Sequence, residues 1–342
     1  MKTYGFGIIG CGIISKWHMT AIQNLENAKL VGVYDKALDR AKAFAEENSC
    51  LAFATLEDML ASSDIDVICI CTPSGLHADA AVAAANAGKH IVVEKPMAIT
   101  RQQLADIVEA VERNGVQLTS ICQRRLSKAA QKIKKAIDDG VFGRLLVGDV
   151  YMKYYRSPEY YASAGWRGTW AMDGGGVLMN QGIHGIDLLQ YFMGPVKSVS
   201  AICRTMDRDI EVEDTAVATV EYANGAVGII EGTTCMNPGK PCRIEVCGTK
   251  GSFVLTEDTI TQWCIDGKEM PLEDEDEDCD RNSAHDPTAF NADLHTAQFA
   301  DLLKALDTNT KPAIDVYEGK RPVDVILSIY ESSASGKTVT IA

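Results

Sequence analysis

The sequence predicts an α/β protein in which a doubly wound parallel sheet is followed by an α+β domain around a mostly antiparallel sheet. Residues 1–123 alternate short β-branched runs with amphipathic helical stretches, which is typical of parallel strands joined by helices. Residues 124–342 contain longer runs of alternating polarity, and Asn224 and Gly225 join two of them as a hairpin turn would. We therefore expect two domains, 1–123 and 124–342.

In the first domain, strands are expected wherever four to eight apolar and β-branched residues run together, and helices where apolar residues recur every three or four positions. Thr55 and Thr100 each precede such a helix, with Asp58 and Gln103 three residues later, as in a capping box. The expected strands are 4–10, 28–35, 66–72, 90–95 and 116–122, and the helices between them include 38–48 and 77–87.

The second domain is expected to begin with a helix and a long strand and to end with two helices and a short strand. A loop rich in Tyr, Trp, Arg and Gly separates the long strand from a further helix, and the hairpin strands follow. The expected positions are a helix at 127–138, a strand at 145–156, a helix near 177–193, the hairpin at 215–234 and helices near 288–307 and 318–335.

Composition excludes several classes of protein. The 342 residues carry a net charge of −14, which argues against a nucleic-acid partner because that partner requires a basic surface. No apolar run approaches the ~18 residues of a membrane helix, and the N-terminus lacks a signal-peptide pattern. The eleven cysteines contain no C-x-x-C pair and fit buried reduced thiols. We expect a soluble cytoplasmic protein without a membrane partner.

A glycine-rich turn follows the first strand. In Gly10-x-Gly12-x-x-Ser15, the first glycine permits a tight turn, the second leaves room for a pyrophosphate, and the small serine lets the helix pack on the strand. Asp35 ends the second strand 20 residues after Ser15 and would accept hydrogen bonds from the ribose hydroxyls. This pattern predicts a dinucleotide site that favours NAD, while Lys36 beside Asp35 leaves NADP open.

Two further stretches, 71–77 and 94–96, lie at the carboxyl ends of predicted strands, where doubly wound sheets bind ligands. Lys95 could orient a substrate hydroxyl and take part in proton transfer there, or it could simply close the strand in an ion pair with Glu94. The residues expected to bind the cofactor are Gly10, Gly12, Ile13, Ile14, Asp35, Thr72, Pro73, His77, Glu94, Lys95 and Gln123.

The second domain contains one chemically suggestive helix. Three glycines lead into it, and Asn180, His184 and Asp187 would share one face. A lone helical histidine is often structural, but the glycines and the polar neighbour one turn earlier favour a functional role. No metal site is expected, because no H-E-x-x-H motif or Cys/His cluster accompanies this helix.

The segment 273–280 is acidic at seven of its eight positions. It is interpreted as a solvated loop, because like charges repel and extend a chain. An interaction loop or a metal-binding loop is the alternative.

Taken together, these stretches resemble the Gfo/Idh/MocA family of glucose–fructose oxidoreductase, inositol dehydrogenase and rhizopine catabolism. "GIIGCGII", "EKPMA" and "GGGVLMNQGIHGIDLL" carry the resemblance, which extends over almost the whole chain. It implies an N-terminal Rossmann domain and a C-terminal α+β domain with a large, mostly antiparallel open sheet that packs subunits into homodimers or homotetramers. It also implies Lys95 as the active-site lysine and His184 as its acid/base partner.

The sequence departs from the family pattern at two positions. Many polyol-oxidising members have aspartate where this chain has Asn180, so Asn180 is expected to bind a substrate hydroxyl rather than titrate. Arg124 stands where many members have asparagine, which suggests an anionic substrate group. The stretch "WRGTW" (166–170) resembles the branch that contains nucleotide-sugar uronate dehydrogenases. The expected substrate contacts are Lys95, Arg124, Tyr151, Tyr155, Arg167, Asn180 and His184.

The expected function is the reversible NAD(P)-dependent oxidation of a secondary alcohol in a sugar, a sugar derivative or a cyclic polyol. Two alternatives stay open on the same scaffold. One is a glycosidase that uses NAD through a transient oxidation. The other is a non-catalytic regulator, which would be expected to lack the lysine–histidine pair.

Overall fold

The computed structural model describes residues 2–272 and 292–341. The described residues divide into two compact units, the first formed by 2–123 and 292–320 and the second by 124–272 and 321–341. The expected boundary at 123/124 coincides with this division, but the stretch 292–320 belongs to the first unit rather than the second. The acidic segment 273–280 lies outside the described residues.

The first unit contains a six-stranded sheet in the order β3-β2-β1-β4-β5-β6, in which every pair is parallel. The predicted alternation of strands and helices is confirmed. The strands are β1 (Tyr4–Ile9), β2 (Ala28–Tyr34), β3 (Leu51–Ala52), β4 (Val67–Ile70), β5 (His90–Val93) and β6 (Leu118–Ser120). The helices are α1 (Ser15–Gln23), α2 (Leu38–Glu47), α3 (Leu56–Ala61), α4 (His77–Asn86) and α5 (Arg101–Asn114). Thr55 and Thr100 cap α3 and α5 with their side chains, as predicted.

The register of these strands brings their carboxyl ends together. Ile9 pairs with Ile70, Ile70 with Val93, and Val93 with Ser120. The residues that follow these four therefore emerge at one edge of the sheet, where a doubly wound fold binds its ligands.

A late helix, α9 (Asp293–Thr308), completes the core of the first unit. Phe299 stacks on Phe6 of β1 with ring centroids 5.7 Å apart, and Leu302 and Leu303 join the same core. Gln298 donates from Nε2 to the carbonyl oxygen of Ser120 at 2.7 Å. These contacts explain why the stretch 292–320 belongs to the first unit.

The second unit is built on a nine-stranded sheet in the order β14-β13-β12-β11-β7-β10-β9-β8-β15. Among the described strand pairs only β7–β10 is parallel, so the sheet is mostly antiparallel, as predicted. The strands are β7 (Leu145–Lys153), β8 (Val196–Arg204), β9 (Thr215–Tyr222), β10 (Val227–Thr233), β11 (Arg243–Gly248), β12 (Gly251–Thr256), β13 (Thr259–Ile265), β14 (Lys268–Glu269) and β15 (Val339–Thr340). Its helices are α6 (Lys128–Asp138), α7 (Pro158–Ala162) and α8 (Ile183–Met193). Helix α10 (Val316–Ser335) begins in the first unit, and its residues from 321 onward belong to the second.

The predicted hairpin is confirmed as β9–β10. Gly225 has a φ of +84°, which glycine adopts without strain, and Asn224 accepts the N–H of Ala226 on its side-chain oxygen at 2.9 Å. The turn therefore uses the conformation that its two residues favour.

The two faces of this sheet differ in burial. Helix α8 packs on one face: a Cβ on Gly185 would lie 2.8 Å from Met152 Sδ of β7. The opposite face exposes apolar side chains on β7, β8, β9 and β10. These side chains, called the open face below, include Val147, Val217, Val227 and Ile202. Along β9 and β10, buried residues alternate with exposed or half-buried ones.

Candidate functional site

The two glycines of the turn after β1 have different surroundings. Gly10 has a φ of +93°, and a Cβ there would lie 2.8 Å from the carbonyl oxygen of Cys71. A Cβ on Gly12 would meet nothing within 4 Å, so the backbone at this position borders open space. The first glycine thus serves the fold, while the second leaves the space that a pyrophosphate needs.

The N-terminus of α1 suits an anion. Ile14 at the N-cap makes no side-chain capping bond, and the first turn holds no acidic residue, so the N–H groups there are not taken by a cap. Ser15 is fully buried and donates its hydroxyl to the carbonyl oxygen of Gly12 at 2.6 Å, which fixes the turn from below. Ile13 projects from this turn and is largely exposed.

Asp35 lies at the end of β2 and is held by the backbone. One carboxylate oxygen accepts the N–H of Cys11 at 2.9 Å, and the other accepts the N–H of Ala37 at 2.8 Å. Arg40 Nη1 lies 3.3 Å from the first oxygen, although its side chain is 60% exposed. A carboxylate offers about four acceptor sites, so Asp35 can still accept a further hydrogen bond.

Two buried polar atoms at the ligand edge lack partners. Thr72 Oγ1 follows β4 and Gln123 Oε1 follows β6, and neither has a hydrogen-bond partner among the described residues. Buried polar atoms normally find one. The open space at Gly12, the uncapped helix and these two atoms all fit a dinucleotide with polar groups along this edge.

His77 braces the same edge. Its Nδ1 lies 2.7 Å from the carbonyl oxygen of Pro96 and its Nε2 lies 2.8 Å from that of Thr72, and the ring is buried. It therefore ties the loop after β4, which includes Pro73, to the loop after β5. A direct contact between His77 and the cofactor stays a prediction.

The side chain of Glu94 is buried at the end of β5. Oε1 lies 2.8 Å from His18 Nε2, and Oε2 accepts the backbone N–H of Lys95 at 3.1 Å. The carboxylate of Glu94 thus accepts a hydrogen bond from the backbone of Lys95. Lys95 itself is only partly buried at the ligand edge. No functional role was predicted for His18, although the sequence places it one turn into the helix that follows the glycine-rich turn.

In the second unit, a π-helical turn (Val177–Gln181) precedes α8 where a single helix was expected. The N–H of Gly182 bonds the carbonyl oxygen of Val177 at 2.6 Å, which is the i to i+5 pattern of a π-turn. Such turns are frequent at functional sites. The backbone of Glu213 packs directly against Gly176, which precedes this turn. A Cβ on Gly176 would lie 1.7 Å from the Glu213 carbonyl oxygen.

Glu213 anchors this π-turn and was missed from the sequence. It accepts the N–H groups of Gly176 at 2.8 Å and Leu178 at 3.0 Å, and the hydroxyl of Tyr330 at 2.8 Å. Burial raises the pKa of Glu213 to about 7 in spite of these bonds. No local pattern could have revealed it, because its partners are distant in sequence.

The π-turn changes the polar face predicted for this helix. Asn180 donates from Nδ2 to Asp173 Oδ1 at 2.7 Å, and His184 lies partly buried in α8. Asp187 is instead fully buried, with Arg125 bonded to both its oxygens at 2.6 and 2.9 Å. Asp187 is therefore a structural ion-pair partner, and Asn180 and His184 stay the predicted substrate contacts of this stretch.

Arg167 joins the π-turn through a tyrosine. Its Nη1 donates to the Tyr160 hydroxyl, which also accepts Gln181 Nε2 at 3.1 Å, and its guanidinium lies 4.2 Å from the Tyr160 ring centroid. Arg167 Nε is buried without a hydrogen-bond partner among the described residues. Arg167 is thus a half-buried cationic residue that shares the Tyr160 hydroxyl with Gln181 of the π-turn.

The other expected substrate contacts lie apart from this group. Arg124 is ion-paired with Asp258 at 3.0 Å and Glu257 at 3.2 Å. Tyr151 is on the open face of the sheet, since neighbouring residues of β7 point the other way toward α8. The Arg208 guanidinium lies 5.4 Å from the Tyr155 ring centroid.

Both halves of the chain match one family. Residues 4–121 match the model described as an oxidoreductase family with an NAD-binding Rossmann fold, and residues 130–254 match the GFO/IDH/MocA C-terminal domain. The uncharacterized oxidoreductase YrbE of Bacillus subtilis (strain 168) is 31% identical over 253 residues, 72% of each chain. The chain belongs to the Gfo/Idh/MocA family. It is an NAD-binding oxidoreductase, as predicted.

Two other members extend the comparison. Inositol 2-dehydrogenase of Rhizobium meliloti (strain 1021) is 29% identical over 255 residues, 73% of this chain and 74% of that protein. The crystal structure of the WlbA dehydrogenase from Bordetella pertussis, in complex with NADH and UDP-GlcNAcA, is 34% identical with a TM-score of 0.89, covering 100% of this chain and 99% of that one. Among the described helices of this Gfo/Idh/MocA protein, none combines the length and the apolar character that crossing a membrane requires.

The carboxylate of Asp35 should set the preference between NAD and NADP. In Asp35→Ser the acceptor for the ribose hydroxyls is lost, the negative charge that repels a 2′-phosphate is removed, and Arg40 and Lys36 become available to that phosphate. The ratio of dissociation constants for NADH and NADPH should shift toward NADPH by about 100-fold, the order expected for losing a hydrogen bond to a charged group and a repulsion together. Fluorescence titration with each nucleotide measures it.

Asp39→Ser is the matched control, because Asp39 is an exposed carboxylate in the first turn of α2. It should leave the ratio unchanged. An unaltered preference for NADH in Asp35→Ser would show that Asp35 does not contact the nucleotide ribose.

Proposed function

We propose that this protein catalyses the reversible NAD-dependent oxidation of a secondary alcohol in a sugar, and that its preferred substrate is a sugar uronate linked to a nucleotide. The observation that carries the oxidation is the position of Lys95. It lies two residues beyond β5, at the sheet edge that holds the glycine-rich turn and the two unpartnered polar atoms. A lysine at that edge can reach a substrate hydroxyl beside a bound dinucleotide.

The substrate class rests on two supporting observations. The WlbA dehydrogenase, which is 34% identical over the full length, was crystallised with NADH and UDP-GlcNAcA. Arg167 is half-buried and contributes a guanidinium whose Nε is buried and unpartnered among the described residues, and a guanidinium matches the fork geometry of a carboxylate or phosphate. We base the anion site on Arg167, because Arg124 already has two carboxylate partners; Arg124 remains a predicted contact.

The chain's own residues must bind the cofactor and handle one proton. The turn at Gly10 and Gly12, the N-terminus of α1 and Asp35 would hold NAD, which when bound supplies the hydride acceptor. In the overall reaction the alcohol becomes a ketone as NAD⁺ becomes NADH and one proton is released. We assign stabilisation of the developing alkoxide to Lys95 and acceptance of the proton to His184, because a neutral imidazole is a common general base.

Incubating the protein with NAD and a panel of substrates tests the proposal. NADH absorbance should rise with a UDP-linked sugar uronate and rise less with inositols, aldoses and free uronates. Lys95→Met should lower kcat by about 1000-fold, because it removes both the charge and the donor, while the NADH dissociation constant changes less than about threefold.

Arg167→Met should raise the KM for the uronate by about 10- to 100-fold, the worth of a hydrogen bond to a charged group, and leave the KM for the neutral sugar nearly unchanged. Arg144→Met is the matched control, since Arg144 is exposed at the start of the same unit.

Release of sugar from a glycoside without net NADH would favour the glycosidase instead, and ligand binding without turnover would favour the regulator.

We also propose that the open face of the nine-stranded sheet packs against a second copy of the chain in a homodimer or homotetramer. Support comes from the apolar side chains that the described chain leaves exposed there, since Ile202 and Val217 are adjacent in register and Val147 is adjacent to Val227. Contiguous exposed apolar side chains often mark an interface.

Replacing Ile202 and Val217 together by lysine should convert the oligomer to monomers in sedimentation velocity, because a pairing face would then carry buried charge. Leu51→Lys, at an exposed apolar position of β3, should leave the sedimentation coefficient unchanged. A wild-type protein that sediments as a monomer would contradict the proposal.

A further inference from the structure

Three titratable side chains form a buried cluster in the first unit. His18 comes from α1, Glu94 follows β5, and His295 comes from α9, and they are 0%, 5% and 1% exposed. Glu94 Oε1 lies 2.8 Å from His18 Nε2 and 3.6 Å from His295 Nε2. The cluster is thus centred on one carboxylate oxygen.

The hydrogen bond from His18 has a defined direction. Burial tends to raise the pKa of Glu94, but the hydrogen bond from His18 and the neighbouring imidazole of His295 outweigh it and hold that pKa well below its usual value. Burial lowers the pKa of His18, which favours a neutral ring. An ionised carboxylate can only accept, so the neutral His18 carries its proton on Nε2 and donates it to Glu94.

The other oxygen of Glu94 holds the backbone of the proposed catalytic lysine. Oε2 accepts the Lys95 N–H at 3.1 Å, while the N–H of Glu94 itself bonds the carbonyl oxygen of Ile70 at 3.1 Å and extends the β4–β5 ladder. The backbone of Lys95 lies beyond the end of β5, and there the side chain of Glu94 holds it by this hydrogen bond. His77 holds the next carbonyl, that of Pro96.

His18 itself is fixed by packing. Its ring stands edge-on to Phe299 with centroids 5.3 Å apart, and it lies 5.8 Å from the His295 ring. It sits in the helix that begins at the glycine-rich turn, so its position follows that of the turn. The chain of contacts runs from this turn through α1 and His18 to Glu94 and then to the Lys95 amide.

We propose that His18 is a positioning residue that fixes Lys95 relative to the dinucleotide-binding turn through the carboxylate of Glu94. This inference rests on the proposed function, in which Lys95 stabilises the reacting alcohol. A displacement of about 1 Å at a reacting group costs on the order of 100-fold in rate, which is why a buried tie at this point matters for turnover.

The same three residues could be taken for a metal site, but their geometry favours the hydrogen bond. Ligand atoms of tetrahedral zinc lie about 3.3 Å apart, given metal–nitrogen bonds near ~2.0 Å, whereas His18 Nε2 and Glu94 Oε1 are separated by 2.8 Å. The Nδ1 atoms of both histidines also have no partner among the described residues, although zinc-bound imidazoles normally donate their second N–H.

A matched set of variants tests the tie. His18→Asn is polar but too short to reach Glu94, His18→Gln has a side-chain amide of about the right reach, and His90→Asn removes a histidine at the other end of β5. His90 is half-buried and accepts the N–H of Gln117 at 3.0 Å, so it controls for the loss of a structural hydrogen bond. Hydrogen exchange of the Lys95 amide, kcat, KM and the NADH dissociation constant are measured for each.

In wild type, the Lys95 amide should exchange about as slowly as the Ile91 amide within β5. In His18→Asn it should exchange about 10-fold faster, the effect of weakening one hydrogen bond, and kcat should fall about 10- to 100-fold with KM and NADH binding nearly unchanged. His18→Gln should restore both to within about fivefold of wild type, and His90→Asn should leave both unaltered.

The positioning role is overturned if the wild-type Lys95 amide exchanges like an unprotected amide, which requires no variant to fold. It is also overturned if His18→Asn keeps the wild-type kcat, if His90→Asn lowers kcat equally, or if purified protein holds one equivalent of zinc that His18→Asn loses. Failure of the proposed function is distinguishable, because the wild-type protein would then form no NADH. Hydrogen exchange would still show whether His18 holds the Lys95 amide in place.

Discussion

The parallel register of the first sheet is the constraint on which the rest of the structure depends. Because Ile9, Ile70 and Val93 are aligned across β1, β4 and β5, the turn at Gly10 and the lysine at position 95 emerge at one edge. Neither feature is informative alone, since glycine turns and strand-ending lysines are common. Their shared edge brings the glycine-rich turn and Lys95 together within the first unit.

Local patterns predicted the elements that local chemistry determines. The glycine-rich turn and Asp35 follow from spacing along the chain, and the structure has Gly10 at a positive φ and Asp35 directly after β2. The membership of α9 in the first unit could not be predicted, because an amphipathic helix shows that it packs but not against what, and Phe299 finds Phe6 almost 300 residues earlier. The roles of Glu94 and Glu213 depend likewise on distant partners.

In the second unit, a π-turn before α8 changes which polar side chains of the predicted helix share a face. In a continuous helix, Asn180, His184 and Asp187 would share one face. The π-turn interrupts that helix, and Asp187 forms a buried ion pair with Arg125. The buried carboxylate of Glu213 stabilises this irregular turn by accepting two backbone N–H groups. Family resemblance identified the stretch, whereas its conformation required the structure.

Transfer of deuterium from substrate to cofactor tests the central claim, that this Gfo/Idh/MocA protein oxidises a sugar carbinol by hydride transfer. The protein is incubated with NAD⁺ and a UDP-linked sugar uronate deuterated at its ring carbinol carbons, and the reduced cofactor is analysed by mass spectrometry and NMR. The account predicts that deuterium appears at C4 of the nicotinamide. Product formation with no deuterium in the reduced cofactor would contradict it.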